Sequence, residues 1–294
     1  MQDLHQLNVL SAVAQHRSFA AAARELQMSP SALSHAVAAL EQRLGVRLFN
    51  RTTRSVSLSE AGERFLARIR PALREIASAA EELDEQRDKP AGTLRINASE
   101  TAARLVLWPM VRELRRRFPE VSVELASEDR MVDIVADGFD CGVRTLDAVP
   151  RDMIAVPCSG KVRFAVAGSK GYFKHRAMPG APVELAAHDC IRRRLSSGGF
   201  YRWEFEKAGR EVAVEVKGSL VLGSDELAVR AAREGLGLAY VSEWQVEKEL
   251  ASGALVRVLE DWTPPYPGLC IYYPSRRHLP AALRAFLEIA KLMR

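Results

Sequence analysis

The sequence predicts an α/β chain: a helical N-terminal segment with a small hairpin, one long connecting helix, then two α/β lobes over the last two thirds. Three patterns predict it. The first sixty residues carry apolar positions three and four apart, interrupted by a single hairpin pattern. Residues 59–89 stay helical in pattern. From TLRINAS onward, short strand-like runs alternate with helical ones, the order expected of sheets covered by helices. At 294 residues the chain is long enough for more than one domain.

The first helix follows from Leu4, Leu7, Leu10, Val13 and Ala14, which share one face. Ser18 is placed to cap a second helix, SFAAAARELQM, whose alanines let another helix approach closely. A short turn at Met28 leads to Ser29, an N-cap, and to Pro30 at the first helical position, where its missing N–H costs nothing. Leu33, Val37, Leu40 and Leu44 then form a buried stripe, and Gly45 stops the third helix. The opposite face carries Ser31, Ser34, His35 and Ala38, where charged residues would be better solvated. Two uses fit that face: ordinary solvated surface, or close approach to a groove in which short side chains reach base edges and phosphates.

The next stretch favours the groove. In VRLFNRTTRSVSLSEAG, Val46, Leu48, Val56 and Leu58 flank a polar hairpin tip bearing Arg51 and Arg54, with Arg43 and Arg47 extending the basic patch. A core hairpin has no use for such arginines, whereas a hairpin beside a groove-reading helix grips phosphates with them. Two helices joined by a tight turn and followed by a basic hairpin make a winged helix-turn-helix. The run AAARELQMSPSALSHAVAALEQRLGVRLF with NRTTRSVSLSEAG resembles the N-terminal domain of LysR-type transcriptional regulators, closely over the first sixty residues. That resemblance implies double-stranded DNA as partner, read by Ser18, Ser29, Pro30, Ser31, Ser34, His35, Arg51 and Arg54. It also implies a linker helix, and a bilobed, periplasmic-binding-protein-like effector domain over the rest. The expected division is 1–58, 59–89 and 90–294, with lobe I formed by about 90–161 and 266–294 and lobe II by about 162–265. The return of LCIYYPS and PAALRAFLEIAKLM to lobe I is implied by the resemblance alone.

In the linker, Leu66, Ile69, Leu73, Ile76, Ala80 and Leu83 form a seam suited to a second copy, which predicts a homodimer on two-fold-related half-sites, with a homotetramer also open. Pro71 removes one backbone hydrogen bond and is expected to bend the helix. Lys89, Pro90, Ala91 and Gly92 are expected to end it and form a hinge.

In the last two thirds, TLRINAS, VSVELAS, FDCGVR and MIAVPCS read as strands, with helical patterns in AARLVLWPMVRELRRRF and MVDIVADG. A second series, RFAVAGS, DCIRR, EVAVEVKGSLVLGS and GLAYVS, with helices DELAVRAAREG and EWQVEKELASG, repeats the style and implies a second parallel sheet. Ligands of such lobes bind at strand ends facing the cleft. Ser99, Glu100 and Thr101 follow the first strand, Arg144 ends FDCGVR, Ser196 and Ser197 lie in RRRLSSGGFYRW, and Ser224 and Asp225 start a helix. Each has a plainer use as a cap or an ion pair; together they are the candidate effector site, with an anionic molecule favoured.

The charge of +5 is compatible with DNA without requiring it. No apolar run approaches the roughly 20 residues that span a bilayer, and the N-terminus has no secretory form, so a cytoplasmic protein is expected. The four cysteines show no C-x-x-C pair and the six histidines are scattered. Neither a metal nor a cofactor is expected, and no catalytic motif is complete. An effector-independent or redox-responsive DNA-binding protein is the alternative, and contact with RNA polymerase is a further partner compatible with the family.

Overall fold

A computed structural model describes residues 2–51, 56–84, 90–128, 130–195, 198–275 and 279–293. The N-terminal segment is α1 (Gln2–His16), α2 (Phe19–Glu25) and α3 (Pro30–Leu44), followed by the hairpin β1 (Phe49–Arg51) and β2 (Val56–Leu58). Both expected caps form: Ser18 Oγ accepts from Ala21 N–H at 3.3 Å, and Ser29 Oγ from Ala32 N–H at 3.1 Å. Gly45 closes α3 in the left-handed region, at φ 66°. Val9, Leu10, Val13, Leu33, Val37, Leu40, Leu48 and Phe49 form one buried core. Leu44 does not join it and is 40% exposed, at the last turn before the chain leaves the helix at Gly45.

The long helix α4 (Glu60–Asp84) contains Pro71. Its start is fixed against the hairpin: Ser59 Oγ donates to the Arg47 carbonyl at 2.7 Å and accepts from Gly62 N–H at 3.0 Å. At Gly62 a β-carbon would lie 2.1 Å from the Leu48 carbonyl oxygen, so only glycine fits. The seam expected to serve a second copy along its whole length is partly used by the chain itself. Leu66 is buried in the N-terminal core, with Phe65 and Ile69 packed against it, and only beyond them does the stripe open, with Ile76 51% exposed. Residues 85–89, and with them Lys89 of the expected hinge, lie outside the described residues.

β3 (Gly92–Ala98) leads into a helical run made of α5 (Glu100–Ala102), one π-helical turn (Ala103–Leu107) and α6 (Trp108–Arg117). β4 (Val121–Ser127), β5 (Cys141–Thr145) and β6 (Met153–Pro157) follow. Between β4 and β5 the helix expected in MVDIVADG is a single turn. Asp133 Oδ1 accepts from the N–H groups of Val135 and Ala136, both at 2.9 Å, and Gly138 at φ 87° ends the turn before a second can form. The second lobe contains β7 (Phe164–Ser169), α7 (Lys170–Phe173), the hairpin β8 (Trp203–Lys207) and β9 (Arg210–Val214), α8 (Asp225–Arg233), β10 (Ala239–Ser242), α9 (Glu243–Ala251) and β11 (Leu255–Val258). The chain then returns through β12 (Leu269–Pro274) and α10 (Ala281–Met293) to the first lobe.

The first lobe's sheet has the order β4-β3-β5-β12-β6, with β3 parallel to β4 and β5, and β12 antiparallel to β5 and β6. The second lobe departs from the expected parallel sheet: β10 and β11 both pair antiparallel with β7. Its parallel character survives only as isolated bridges, Cys190↔Leu238 and Arg192↔Val221, so DCIRR and the tail of EVAVEVKGSLVLGS run extended without forming full strands. Among the described residues no helix is long and apolar enough to cross a membrane.

Candidate nucleic-acid interface and interlobe cleft

α3 turns opposite faces to core and solvent. Leu33, Val37 and Leu40 are fully buried, while Pro30, Ser31, His35 and Ala38 are exposed and Ser34 is half-buried. Ser18 and Ser29 hold helix starts, so their oxygens are already committed to backbone N–H groups, and Ser29 Oγ also lies 3.1 Å from Ser31 Oγ. Arg51 folds back rather than projecting. Its Nη1 donates to Ser34 Oγ at 3.3 Å, its Nη2 lies 3.5 Å from Glu41 Oε2, and its guanidinium sits 4.4 Å from the centre of the Phe19 ring. Arg51 therefore ties the hairpin to α2 and α3, with about a third of its side chain open. Arg54 lies outside the described residues.

Glu41 is the residue that sequence patterning missed. From the last turns of α3, its Oε1 accepts from Leu48 N–H at 2.7 Å and from Phe49 N–H at 3.1 Å. One carboxylate thus sets the angle between helix and hairpin and also orients Arg51. A glutamate near the end of a helix reads as ordinary surface charge, and nothing local marks its long-range partners.

Between the lobes lies a cavity of about 220 Å³, lined from both sides. Ser99, Thr101, Arg144, Ser224 and Asp225 line it as expected. Glu100 is exposed and lies outside that lining, and Ser196 and Ser197 fall outside the described residues. Ser99 caps α5, accepting from Ala102 N–H at 3.3 Å. Arg144 is buried at the cleft floor, where Nη2 donates to Asn97 Oδ1 at 2.7 Å and to the carbonyls of Glu128 and Arg130 at 3.0 Å. Those bonds tie the end of β5 to β3 and to the loop after β4, so the guanidinium is engaged by the scaffold and not held open as a clamp.

Thr101 and Asp225 meet across the cleft. Thr101 Oγ1 donates to Asp225 Oδ2 at 3.4 Å, and Gln245 Nε2 donates to both, at 2.6 Å to the hydroxyl and 2.8 Å to the carboxylate. Arg104, on the π-helical turn, donates to Gln245 Oε1 at 3.0 Å and lies 4.0 Å from Glu226. Arg193 approaches Asp225 at 3.7 Å. The wall also carries the aromatic side chains of Phe164, Tyr201, Trp203, Tyr240, Trp244 and Tyr266, beside aliphatic ones such as Val162, Ile191 and Leu222. Burial raises the phenols, Tyr201 to about 12 and Tyr240 and Tyr266 still further, so all stay neutral. The aromatic wall and Gln245 were invisible as a group because they come from four stretches far apart in sequence, around 164, 201–203, 240–245 and 266.

All four cysteines are buried and none is in a disulfide; burial pushes Cys158 and Cys190 up to about 12 and raises Cys141 well above the ordinary thiol range. Thiols held protonated in this way are poor nucleophiles and poor redox sensors.

A helix-turn-helix with a short wing, joined through a long helix to two α/β lobes around a cleft, defines a class of DNA-binding transcriptional regulator with a ligand-binding type of domain. Family models for a bacterial regulatory helix-turn-helix protein of the lysR family and for a LysR substrate binding domain match residues 4–63 and 87–293. The chain belongs to the LysR-type transcriptional regulators. It is 43% identical over 280 residues to the uncharacterized HTH-type transcriptional regulator YcaN of Escherichia coli (strain K12), covering 95% of this chain and 92% of that one. It is 39% identical over 291 residues to the HTH-type transcriptional regulator PgrR of the same strain, covering 99% and 97%. Among solved structures, the full-length Vibrio cholerae virulence activator AphB superposes with a TM-score of 0.64 at 25% identity, over 98% of both chains. CrgA from Neisseria meningitidis gives 0.59 at 26%, again over 98% of both.

Proposed function

We propose that two copies of the chain bind a two-fold-symmetric DNA site through α3, and that a small molecule in the interlobe cleft changes the spacing of the two helices. The observation that carries this is the division of α3 into a buried Leu33, Val37, Leu40 side and an open Ser31, Ser34, His35 side, next to a hairpin and ahead of a long helix with an open apolar stripe. Short polar groups on that side reach base edges in the major groove, and Pro30 marks the end that enters. Arg51 and Arg54 supply phosphate contacts from the hairpin.

The functional units are residues 1–58, 59–89 and 90–294, and the homodimer forms through the free part of the α4 stripe, with a tetramer built by further pairing of effector domains. Ser99, Glu100, Thr101, Arg144, Ser196, Ser197, Ser224 and Asp225 make up the effector site. The protein acts in the cytoplasm on the nucleoid, without catalysis, and regulates through the arrangement it presents to RNA polymerase. An effector does this only if it prefers one arrangement of the assembly to another. Footprinting of the full chain on its target DNA is the test: two protected half-sites related by a dyad are expected. A single protected patch without a dyad would contradict the dimer reading. An effector-independent binder would give a footprint that no metabolite changes.

A further inference from the structure

The cleft floor and the linker helix are held by the same short piece of the first lobe. We propose that residues 130–138 are a relay that passes a change at Arg144 in the cleft to Arg70 on α4, and so to the DNA-binding unit mounted on that helix. This rests on the cleft being the effector site and on α3 reading DNA.

At one end of the piece, Arg144 lines the cleft cavity and its Nη2 donates to the carbonyls of Glu128 and Arg130, both at 3.0 Å. At the other end, Arg70 Nη1 donates to the Ala136 carbonyl at 3.1 Å, across a separation of 66 residues. Arg70 is half-buried there; burial lowers its pKa, and the neighbouring Asp137 carboxylate opposes that.

Between these ends the piece is stiff. Asp137 N–H donates to the Asp133 carbonyl and Phe139 N–H to that of Ile134, both at 2.8 Å, beside the two bonds to Asp133 Oδ1. Val132 and Ile134 are buried against Tyr272. Tyr272 is in turn wedged against β5, two residues before Arg144: a β-carbon on Gly142 would lie 2.4 Å from its ring. A piece packed this closely shifts as a body and does not deform gradually.

On the helix side, the contact falls where it has leverage. Leu66 and Ile69 belong to the N-terminal core, so this end of α4 moves with α3. Pro71 follows Arg70 at once and supplies no N–H for the Ala67 carbonyl, which weakens the helix just beyond the contact. Arg70 therefore holds the DNA-binding side of the weak point to the first lobe. The joint is also thin, because Val56, Ser57 and Ala67 face Ala136 and Asp137 across a cavity of about 530 Å³. A joint built across open space opens at low cost, as a switching element must.

The test joins amide hydrogen exchange of the full chain to DNA affinity by fluorescence anisotropy, on an oligonucleotide that the wild type selects from a random pool. The variants are Arg70→Met, which keeps the stem and loses the donor, Asp133→Ala, which loosens the turn from an exposed position, Arg144→Lys, and the last two each combined with Arg70→Met. Asp133→Ala and Arg144→Lys should each speed exchange at residues 66–71 about fivefold, and each combination should do no more than Arg70→Met alone, because all act through one contact. DNA affinity should fall about fivefold in the same non-additive way. By reciprocity, DNA binding should change exchange along β5 in the wild type and not in Arg70→Met.

Unchanged exchange at residues 66–71 in Asp133→Ala, or effects that add to that of Arg70→Met, overturns the relay. Unchanged exchange there in Arg144→Lys overturns its link to the cleft; should that variant fail to fold, the return effect of DNA on β5 decides the link instead. Non-additive exchange with the same DNA affinity in every variant supports the relay and overturns α3 as the DNA reader mounted on it.

Discussion

Replacing Glu41 by alanine removes the acceptor that fixes the hairpin to α3. Two backbone donors, Leu48 N–H and Phe49 N–H, lose a carboxylate at 2.7 and 3.1 Å, and both residues are buried, so water replaces it poorly. Each orphaned buried donor costs about 1–3 kcal/mol, and Arg51 loses one of its anchors as well. The sum is about 3 kcal/mol, set against a total stability of about 5–15 kcal/mol for a domain. In a domain of this size that lowers its melting temperature by roughly 10–25 °C. The assay is thermal denaturation of the full chain, with amide hydrogen exchange assigning the early transition to residues 4–63. Glu41→Gln keeps an acceptor oxygen and should lose about half as much, since hydrogen bonds to a charged group are roughly twice as strong as neutral ones. A loss under about 0.5 kcal/mol for Glu41→Ala, or equal damage from glutamine and alanine, would refute the bracing role.

Four further outcomes follow from the same structure. Gly62→Ala places a methyl group against the Leu48 carbonyl, where both partners are backbone, and should cost about 1–3 kcal/mol in the same melt. Arg51→Ala should weaken binding to all DNA sequences alike and reduce the slope of affinity against salt by about one, measured by fluorescence anisotropy over a salt series. Tyr172 O accepts from Asp189 N–H at 3.0 Å and pairs with His188 Nδ1 at 3.2 Å, and burial lowers the His188 pKa. The unfolded chain then binds the extra proton first, so stability should be full above about pH 6.5 and decline as pH falls below it, a slope that His188→Phe removes. The buried thiols should resist a disulfide reagent in the native protein and react on unfolding, in stopped-flow absorbance.

Much of the fold was legible because its signals are local. Ser29 and Pro30 start α3, Gly45 ends it, and the alternation in TLRINAS and VSVELAS marks β3 and β4. What patterning missed depends on partners distant in sequence. Leu44 has the right spacing for the core, yet it is the last residue of α3, where the chain turns at Gly45, and is left 40% exposed. Leu66 and Ile69 have the spacing of a two-copy seam but lie beside the N-terminal core, which takes them. MVDIVADG has helical spacing, but Asp133 caps its first turn and Gly138 ends it. The same holds for the sites. Ser99, Thr101 and Asp225 stand at strand ends, where topology puts ligands, and were legible for that reason. Gln245, in the first turn of α9, meets Thr101 only once the two lobes are formed, and Phe164, Tyr240 and Tyr266 stack from segments distant in sequence. Arg51 was legible as basic, and its return to Ser34, Glu41 and Phe19 was not.

Selection of preferred DNA sites from a random pool, done in parallel for the wild type and for Ser34→Ala and His35→Ala, tests most directly whether α3 reads DNA as one of a symmetric pair. Each substitution should relax or change the preferred base at two positions related by the dyad, at a cost of about 1–3 kcal/mol per lost contact, while the rest of the site is unchanged. The same preferred site for all three proteins, or a change confined to one half-site, would contradict that account.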